Sequence, residues 1–552
     1  MSRVPLLYHQ FFHTGYDWDI TTEPQRHAGS KRKYWPRGRM LGGCSSMNAM
    51  IFHYGAPADF DEWADMQKGQ EGASGWNYEN FNGYFRKFEK FHPSKDYSLV
   101  DTSLRGSSGP VHVGYFGKTS DTTKLFMQAC HNAGLIHEPD LNTAKGTLGS
   151  SKVVTFIDSQ GRRVTTESAY LTQEVLARPN LTVATHAQVT RVLLDTAPGK
   201  APRAVGVQFK NRKGELYEVR AKQEVVVSAG AIHTPQILML SGIGPADHLS
   251  SLHIPVVVDN PGVGAHLMDH PVIDFNFRDR SKSQMAALTH DPRRHGQFDL
   301  ASTARALAYL AQWRLYGTGP LSSNVAEAAA FARSSDKGLF AKAGVTLPTP
   351  DDLEDSTSGS TAPDIEIFFT PMAYISHGQQ AFTEGHHFAV HAVLLRPTST
   401  GTVRLRSADP SVAPIVDPEY FATQHDATVL VRAARLIAHI VNTRPFSALL
   451  DPAGAADATG LLNHNLAQQS DAEIEAIVRD RVETLYHPTC TARMAPREDG
   501  GVVDPFLRVH GVEGLRVCDA SVFPTITSGH TVSPTIALAE RAADIILETY
   551  GK

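Results

Sequence analysis

The sequence is poor in cysteine, which limits the kinds of site it can build. Only four cysteines occur among its 552 residues, at positions 44, 130, 490 and 518, and no two of them form a CxxC pair. A structural zinc site or a disulfide framework needs several thiols at characteristic spacings. We therefore expect neither a zinc site nor a disulfide scaffold, and the sparse cysteines fit a reducing compartment.

Long apolar runs are missing as well. No stretch approaches the ~20 apolar residues that a membrane-spanning helix needs, so no membrane span is predicted. Residues 1–10 lack the basic and apolar segments of a secretory signal, which favours a cytoplasmic location for a chain that begins at Met1. The net charge of -5 offers no electrostatic basis for binding nucleic acid, so a small molecule is the expected partner.

Several catalytic and binding motifs are absent. There is no HExxH, so the commonest zinc-protease pattern is excluded, and no GxSxG, which excludes the usual hydrolase nucleophile turn. No metal site is predicted. A GxGxxG dinucleotide fingerprint is also lacking, because Gly262 and Gly264 are followed by Ala265-His266-Leu267, without the third glycine.

Two parts of the chain have the pattern of a buried strand followed by a helix. Residues 224–228 (EVVVS) form a β-branched run that predicts a strand buried on both faces, and Thr234 with Pro235 predicts the start of a helix that Gly242 ends. Residues 515–518 (LRVC) predict a second such strand. A helix capped by Ser533 is expected to start at Pro534.

The region between these two parts has a different pattern. Residues 390–395 and 402–406 flank a Ser-Thr-Gly turn and predict a β-hairpin, and helices are expected near residues 300–315 and 428–442. The fold class is therefore predicted as α/β (α+β). A nucleotide-type α/β domain is built from separated stretches, and an antiparallel-sheet substrate domain lies between them.

Four blocks of sequence, in order along the chain, resemble the glucose–methanol–choline (GMC) oxidoreductases. The resemblance covers nearly the whole chain and is nearest to the choline oxidase, choline dehydrogenase and alkyl or aryl alcohol dehydrogenase branches. The blocks are residues 36–50 (PRGRMLGGCSSMNAM), 230–244 (GAIHTPQILMLSGIG), 260–271 with NPGVG and LMDHP, and 486–536 with YHP, VDP, DAS and PTI.

This resemblance implies a fold, a cofactor and a reaction. It implies an FAD-binding domain over residues 1–271, a substrate-binding domain over residues 272–479, and a return to the FAD-binding domain over residues 480–552. The reaction is the oxidation of a primary or secondary alcohol to a carbonyl by hydride transfer to flavin N5. The final electron acceptor, O2 or a quinone, stays open.

The resemblance also implies which residues contact the cofactor. Gly42 and Gly43 have no Cβ, so their backbone can approach a phosphate or a ring edge closely. The N-terminus of the last helix carries a partial positive charge that the resemblance directs at the flavin. The implied FAD-binding residues are Gly42, Gly43, Asn48, Ala49, Met50, Val189, Gly230, Asp519, Ala520, Thr531 and Pro534.

Two histidines are the implied catalytic pair. A base must take the hydroxyl proton of the alcohol, and histidine suits this role because its pKa lies near neutral pH. The resemblance assigns the base to His487 and assigns orientation of the substrate oxygen to His530. The other histidines, among them His53, His112, His233 and His270, are interpreted as surface or hydrogen-bonded structural residues.

The sequence departs from the family at two places. Met47 stands where covalently flavinylated members carry histidine, and a thioether cannot form that linkage, so we expect noncovalent FAD. Ala49 lacks a hydroxyl found near the flavin in choline oxidase. The strand–GxGxxG–helix unit that opens family members, about 30 residues long, is expected to be absent from this chain.

Three functions therefore remain open. The first is an FAD-dependent alcohol oxidoreductase, and the second is a truncated, non-catalytic remnant that cannot hold FAD. The third is a hydroxynitrile lyase, since some relatives keep FAD and the histidine yet cleave cyanohydrins. For the first function, the expected pocket lining comes from residues 317–331 and from Phe368 and Phe369, which favours an apolar alcohol.

Overall fold

The chain folds into a mixed α/β structure, in agreement with the predicted fold class. The computed structural model describes residues 2–117, 119–280, 300–349, 353–373, 375–377, 382, 385–452 and 460–551. Its helices are α1 (Pro57–Asp65), α2 (Tyr78–Phe88), α3 (Asp121–Asn132), α4 (Thr166–Tyr170), α5 (Gln173–Leu176), α6 (Gly230–Leu240), α7 (Ala246–Ser251), α8 (Leu300–Tyr316), α9 (Lys337–Lys342), α10 (Gln424–Asn442), α11 (Asp471–Arg481) and α12 (Val532–Thr549).

The strands of the described residues form seven small or medium sheets. They are β1 (Ile20–Thr21), β2 (Tyr34–Trp35), β3 (Ile51–Phe52), β4 (Glu89–His92), β5 (Val111–Gly114), β6 (Gly149–Lys152), β7 (Val154–Thr155), β8 (Gln188–Asp195), β9 (Arg203–Lys210), β10 (Leu216–Arg220), β11 (Val225–Val227), β12 (Ile243–Gly244), β13 (Val258–Asp259), β14 (Pro271–Asp279), β15 (Ala328–Ala332), β16 (Ile365–Thr370), β17 (His386–Leu394), β18 (Thr402–Arg404), β19 (Ile415–Asp417), β20 (Glu483–Thr484) and β21 (Leu515–Val517).

The largest sheet has six antiparallel strands in the order β20-β14-β17-β16-β15-β6. Helix α10 packs against β16 and β17. Residues Ala427, Leu430, Ala434 and Ile437 recur at helical spacing and are fully buried in the core that this packing creates. The sheet and α10 therefore form one layer pair whose other face is free to line a site.

The predicted domain boundaries stay predictions. Strand β6 comes from before residue 271, yet it pairs with β15 and so joins the six-stranded sheet. The helices expected near residues 300–315 and 428–442 are confirmed as α8 and α10. None of the helices in the described part of the chain is long and apolar enough to cross a bilayer.

The parallel pair β11–β21 joins the two sequence regions that have the strand–helix pattern. The expectation that β11 is buried on both faces is wrong, because the side chain of Val226 is 40% exposed. Among the described residues, β21 is the only strand paired with β11, so the two form a two-stranded sheet. One face of this sheet is covered, and the face that carries Val226 is exposed. Val225 and Val227 point the other way and are buried.

Both predicted helix starts were placed too late. Helix α6 begins at Gly230, and the hydroxyl of Thr234 donates to Asp519 (2.6 Å) instead of capping the helix. Helix α12 begins at Val532, two residues before Pro534. A proline needs no backbone donor within the first turn, so Pro534 fits inside the helix and does not mark its start.

The predicted hairpin of residues 390–395 and 402–406 is wrong. Strand β17 stays in the six-stranded sheet, whereas β18 pairs with β19 in a separate two-stranded sheet. Between them, the backbone N–H groups of Thr398 and Ser399 donate to the buried carboxylate of Asp426 at the start of α10 (2.8 and 3.0 Å). These hydrogen bonds direct the chain away from the six-stranded sheet after β17, so β18 does not pair with β17.

A buried ion cluster holds the sheet of β3, β4, β5 and β7 against its surroundings. The guanidinium of Arg105 is 1% exposed and hydrogen-bonds to the carboxylates of Glu89 and Asp140. Glu89 also accepts from the hydroxyl of Tyr54 (2.8 Å), and the guanidinium lies 4.4 Å from the ring centre of Phe91. The charge of the Arg105 guanidinium is thus balanced by two carboxylates within hydrogen-bonding distance.

We expect Arg105→Met to destabilise the protein strongly. Removing the guanidinium leaves Glu89 and Asp140 buried without their cation, which costs about 3–5 kcal/mol. Differential scanning calorimetry measures this as a fall of several degrees in the unfolding midpoint. The matched control is Arg162→Met, which removes a half-exposed arginine from its ion pair with Asp158. This control should lower the free energy of unfolding by less than about 1 kcal/mol and therefore shift the midpoint much less. Equal shifts in the two variants would contradict the cluster's role.

Candidate active site

One large cavity lies between the six-stranded sheet and the β11–β21 pair. Its volume is about 570 Å³, and its wall is mostly apolar. The main lining segments are residues 36–38, 42–45, 47–51, 228–233, 324–326, 483–488, 518–520 and 530–532. Three of the four family-like blocks thus contribute to one wall, although they are far apart in the chain, and the block of residues 260–271 does not reach it.

The glycine pair forms a tight backbone turn at the cavity wall. Gly42 and Gly43 have φ values of +81° and +50°, a region that favours residues without a Cβ. A Cβ on Gly42 would meet the hydroxyl of Ser46 at 2.5 Å, whereas one on Gly43 would enter open space. The turn therefore presents bare backbone to the cavity, which suits a closely approaching cofactor.

A buried arginine orders the segment after this turn. The Arg163 guanidinium donates to the side-chain oxygen of Asn48 (2.8 Å) and to the backbone oxygen of the same residue (2.6 Å). Burial lowers the pKa of Arg163 to about 9. Because the Asn48 oxygen is engaged, its amide NH2 is the group left for the cavity. Sequence reasoning missed Arg163, which lies 115 residues from Asn48 along the chain.

Asp519 ties together the two strand–helix regions. Its carboxylate accepts from the backbone N–H of Gly230 (2.9 Å), the hydroxyl of Thr234 (2.6 Å) and the backbone N–H of Ser521 (2.8 Å). The N-termini of α6 and α12 consequently both open at the cavity. Helix N-termini carry partial positive charge and unpaired N–H groups, which suit an anionic or electron-accepting group.

His487 and His530 face each other at the cavity. Their ring centres are 5.0 Å apart, with an angle of 84° between the ring planes. The backbone N–H of His487 donates to Asp269 (2.7 Å), whose other oxygen accepts from the Tyr420 hydroxyl. The sequence-predicted catalytic pair is therefore brought together, and backbone contacts hold the His487 loop in place.

The loop around His487 is also strained. Tyr486 and Cys490 have φ values of +66° and +70°, which are unfavourable for residues with a side chain. Such conformations persist when the surrounding contacts determine them, and they concentrate at functional sites. The thiol of Cys490 is fully buried, and burial raises its pKa to about 12. Cys490 therefore packs as a small buried residue.

Two further residues complete the histidine cluster. Nδ1 of His270 lies 2.9 Å from Nδ1 of His487, and Nε2 of His530 lies 3.0 Å from the carboxylate of Glu366. Sequence reasoning interpreted His270 as structural and missed Glu366. The Asp-His-Pro block was a signal for His270. Glu366, inside the apolar run IEIFF of β16, was marked only by being a charged residue in a buried strand.

Burial shapes the ionisation of this cluster. The pKa of His487 lies well below its ordinary value because the ring is buried and because protonation would place its charge close to His530, His270 and Arg37. Burial and His530 likewise lower the pKa of His270 and that of His53, each to about 3. His487 is therefore neutral at physiological pH, the state that a general base needs.

The structure brings most of the predicted cofactor residues to the cavity. Val189 and Pro534 are the two that do not line it: Val189 lies in β8, and Pro534 is buried within the first turn of α12. Those that line it are Gly42, Gly43, Asn48, Ala49, Met50, Gly230, Asp519, Ala520 and Thr531. The bare glycine backbone, the amide of Asn48 and the two helix N-termini fit a flavin cofactor.

The expected pocket lining is only partly correct. Phe368 lines the cavity, but Phe369 points to the opposite face of β16 and lies in the core against Phe388 and Phe446. Alternation along a strand sends adjacent side chains to opposite faces, which explains the difference. From the region of residues 317–331, only Asn324, Val325 and Ala326 reach the cavity.

Comparison with known proteins shows extensive similarity to one family. Models of the GMC oxidoreductase N- and C-terminal regions match residues 24–272 and 397–539. Dehydrogenase str4 of Strobilurus tenacellus is 39% identical over 99% of this chain and 87% of that protein. Mitochondrial choline dehydrogenase of Mus musculus is 36% identical over 96% of this chain and 79% of that protein.

Solved structures show the same similarity. A formate oxidase of Aspergillus oryzae has a TM-score of 0.83 and 27% identity, covering 100% of this chain and 91% of that one. A fungal aryl-alcohol oxidase has a TM-score of 0.76 and 25% identity, covering 98% and 90%. Together with the cavity geometry, these matches show that the chain belongs to the GMC oxidoreductase family, with FAD as cofactor and CH–OH groups as electron donors.

Proposed function

We propose that this protein oxidises a primary or secondary alcohol to the corresponding carbonyl compound, with His487 as the general base. The observation that carries this proposal is the pairing of neutral His487 with His530 at one cavity that also holds the glycine turn and two helix N-termini. When bound there, FAD supplies the acceptor for the hydride of the alcohol carbon. The chain's own residues bind the alcohol, orient it and remove its hydroxyl proton.

The contact between His270 and His487 supports the assignment of the base. His487 contacts His270 through Nδ1, and Nε2 of His487 takes no part in that contact. In the proposed reaction, Nδ1–H of His487 donates to Nδ1 of His270. This tautomer leaves the lone pair of His487 on Nε2, the ring nitrogen that does not contact His270, free to accept a proton.

His530 is suited to hold the substrate oxygen. Its Nε2–H donates to Glu366, a carboxylate that is completely buried, so the opposite ring edge is the one available to the cavity. A hydrogen bond donated to the substrate oxygen strengthens as negative charge grows on that oxygen. In this proposal His487 removes the proton, and His530 stabilises the oxygen from which it leaves.

We expect His487→Ala to abolish reduction of the bound flavin by alcohols while leaving the flavin bound. Loss of a positioned general base typically lowers the rate by about 10²–10⁴-fold. Anaerobic stopped-flow absorbance measures flavin reduction directly, and the flavin spectrum after desalting measures retention.

The control for this variant is His131→Ala, which removes an exposed histidine on α3 and should change neither quantity. Undiminished reduction in His487→Ala would contradict the assignment of the base. A wild-type chain that holds flavin but is reduced by no alcohol would contradict the proposed reaction itself. A wild-type chain that holds no flavin would favour the non-catalytic alternative.

The pH dependence of flavin reduction follows from the environment of His487. Its pKa is held well below 6.5 by burial and by His530, His270 and Arg37. Only the neutral ring accepts a proton, so activity falls as pH drops through the pKa of the folded protein and not near pH 6.5. We expect kcat/KM to stay level from about pH 8 to about pH 6.5. An acidic limb with an apparent pKa at or above about 6.5 would contradict this electrostatic picture.

We expect the flavin to be held without a covalent bond. Met47 lines the cavity and is 5% exposed, and its thioether cannot form a histidyl linkage. Acid precipitation should release the flavin into the supernatant, where its absorbance is measured. Met47→His provides the positive control, because it restores the residue that carries the linkage in flavinylated relatives. Flavin that remains with the wild-type pellet would contradict noncovalent binding.

A further inference from the structure

The six-stranded sheet gives the cavity a second polar wall, separate from the histidine cluster. We call it the distal wall and define it as Asp274 on β14, His391 on β17 and Thr370 on β16. These three strands are neighbours in the sheet, and all three side chains line the cavity. Neither the proposed proton transfer nor the cofactor contacts make use of them.

Hydrogen bonds order the distal wall. Nδ1 of His391 lies 2.6 Å from Oδ1 of Asp274, and Nε2 lies 2.9 Å from the hydroxyl oxygen of Thr370. The ring of His391 is 1% exposed and stacks on Phe368 at 4.2 Å between ring centres. Because an ionised carboxylate only accepts, Nδ1 of His391 carries the proton of the first contact. The position of the Asp274 carboxylate is therefore fixed from one side.

The other side of Asp274 is open to the cavity. Its side chain is 22% exposed, and its second oxygen, Oδ2, accepts no hydrogen bond from the residues that the structure describes. Most of the surrounding cavity wall is apolar, including Val272 and Phe368. A carboxylate oxygen in such surroundings binds a hydrogen-bond donor more strongly than it would in water. The open oxygen is thus a recognition point in an otherwise apolar chamber.

The sheet sets the distance from the distal wall to the catalytic pair. Glu366, which contacts His530, and Thr370 are four residues apart on β16. His270, which contacts His487, directly precedes β14 and is four residues from Asp274. A strand advances about 3.3 Å per residue, so each strand places the two polar sites about 13 Å apart, measured along the backbone.

A second carboxylate on the same side lies near a lysine as well as a histidine. Glu483 lines the cavity on β20, opposite Val272 in the sheet register. It lies 3.7 Å from the ammonium group of Lys33 and 3.4 Å from Nε2 of His377. Asp274 and Glu483 therefore have equal formal charge but different surroundings, which makes them a matched pair for experiments.

We propose that the distal wall recognises a hydrogen-bond-donating group, a hydroxyl or a protonated amine, at the end of the substrate remote from the oxidised carbon. This inference rests on the proposed alcohol oxidation and adds a substrate class to it. The substrate is an alcohol with an apolar middle that packs against Phe368 and Val272. Its far end donates to Oδ2 of Asp274.

A substrate series tests this inference with the FAD-bound enzyme. Straight-chain alkanols, α,ω-diols and ω-amino alcohols of about four to about ten carbons are compared at matched length by kcat/KM for flavin reduction. A charged or polar hydrogen bond in an apolar site corresponds to about tenfold to hundredfold in binding. We expect a preference of that size for diols or amino alcohols over alkanols at the chain length with the highest kcat/KM. Comparing the diols with the amino alcohols then shows whether a hydroxyl or a protonated amine is the favoured donor.

Substitutions then locate the recognition. Asp274→Asn keeps the shape and the acceptor toward His391 but removes the charge, and should reduce the preference ratio about tenfold. Glu483→Gln removes the same charge from the position beside Lys33 and should reduce the preference ratio less. Asp121→Asn, a 95% exposed position on α3, should leave the ratio unchanged. Equal losses in Asp274→Asn and Glu483→Gln would overturn the assignment to Asp274.

Binding without turnover gives an independent readout. Hexylamine carries the proposed donor but no alcohol, and isothermal titration calorimetry measures its Kd against wild type and Asp274→Asn. We expect Asp274→Asn to weaken hexylamine binding about tenfold. Flavin reduction by alkanols and substituted alcohols at equal efficiency would overturn this inference and leave the proposed function intact. Flavin that no alcohol reduces would overturn both.

Discussion

The hydrogen bond between His530 and Glu366 is the interaction on which the electrostatics of the site depend. Four histidine rings (His53, His270, His487 and His530) are buried near one another, and Glu366 is the one carboxylate hydrogen-bonded to any of these rings in the described structure. After burial itself, positive charge on His530 is the largest cause that lowers the pKa of each of the other three. A single buried carboxylate therefore contacts the ring whose charge most affects the other three. Glu366 lies on β16 of the six-stranded sheet, outside the four family-like blocks.

The same sheet connects the proton chemistry with recognition of the substrate. Strand β16 contributes Glu366, Phe368 and Thr370 from alternating positions on one face, and β14 begins beside His270 and continues to Val272 and Asp274. Fixed register between these strands means that the catalytic end and the distal end cannot move independently. Helix α10 packs on the opposite face and keeps the sheet rigid. In the proposed reaction, the same strands that position the catalytic histidines also set the substrate length that fits.

Sequence reasoning recovered the parts of the site that are encoded locally. The glycine turn, Asn48, Asp519, His487 and His530 lie in blocks whose chemistry can be read from neighbouring residues. The parts it missed act across the chain: Glu366 is 164 residues from His530, His270 is 217 from His487, and Arg163 is 115 from Asn48. The wrong hairpin has the same origin, because the Asp426 anchor that redirects residues 398–399 lies on a helix some 27 residues further along. The run around Val226 likewise has the composition of a strand buried on both faces. The exposure of Val226 depends instead on the elements that pack beside the strand and not on the composition of the run.

In the proposed reaction, one positive charge has two opposing effects. Charge on His530 lowers the pKa of His487, which weakens that ring as a base, yet it also stabilises the negative charge that grows on the substrate oxygen as the proton leaves. The two effects are compatible because they act at different distances. In the proposal, His530 hydrogen-bonds directly to the substrate oxygen. It only faces the ring of His487, which holds the transferred proton, at 5.0 Å between ring centres. Burial strengthens both interactions by excluding water. The hydrogen bond from His487 to His270 then spreads the acquired charge onto a second ring. The base is thus kept neutral before the reaction, and the proton it gains is shared.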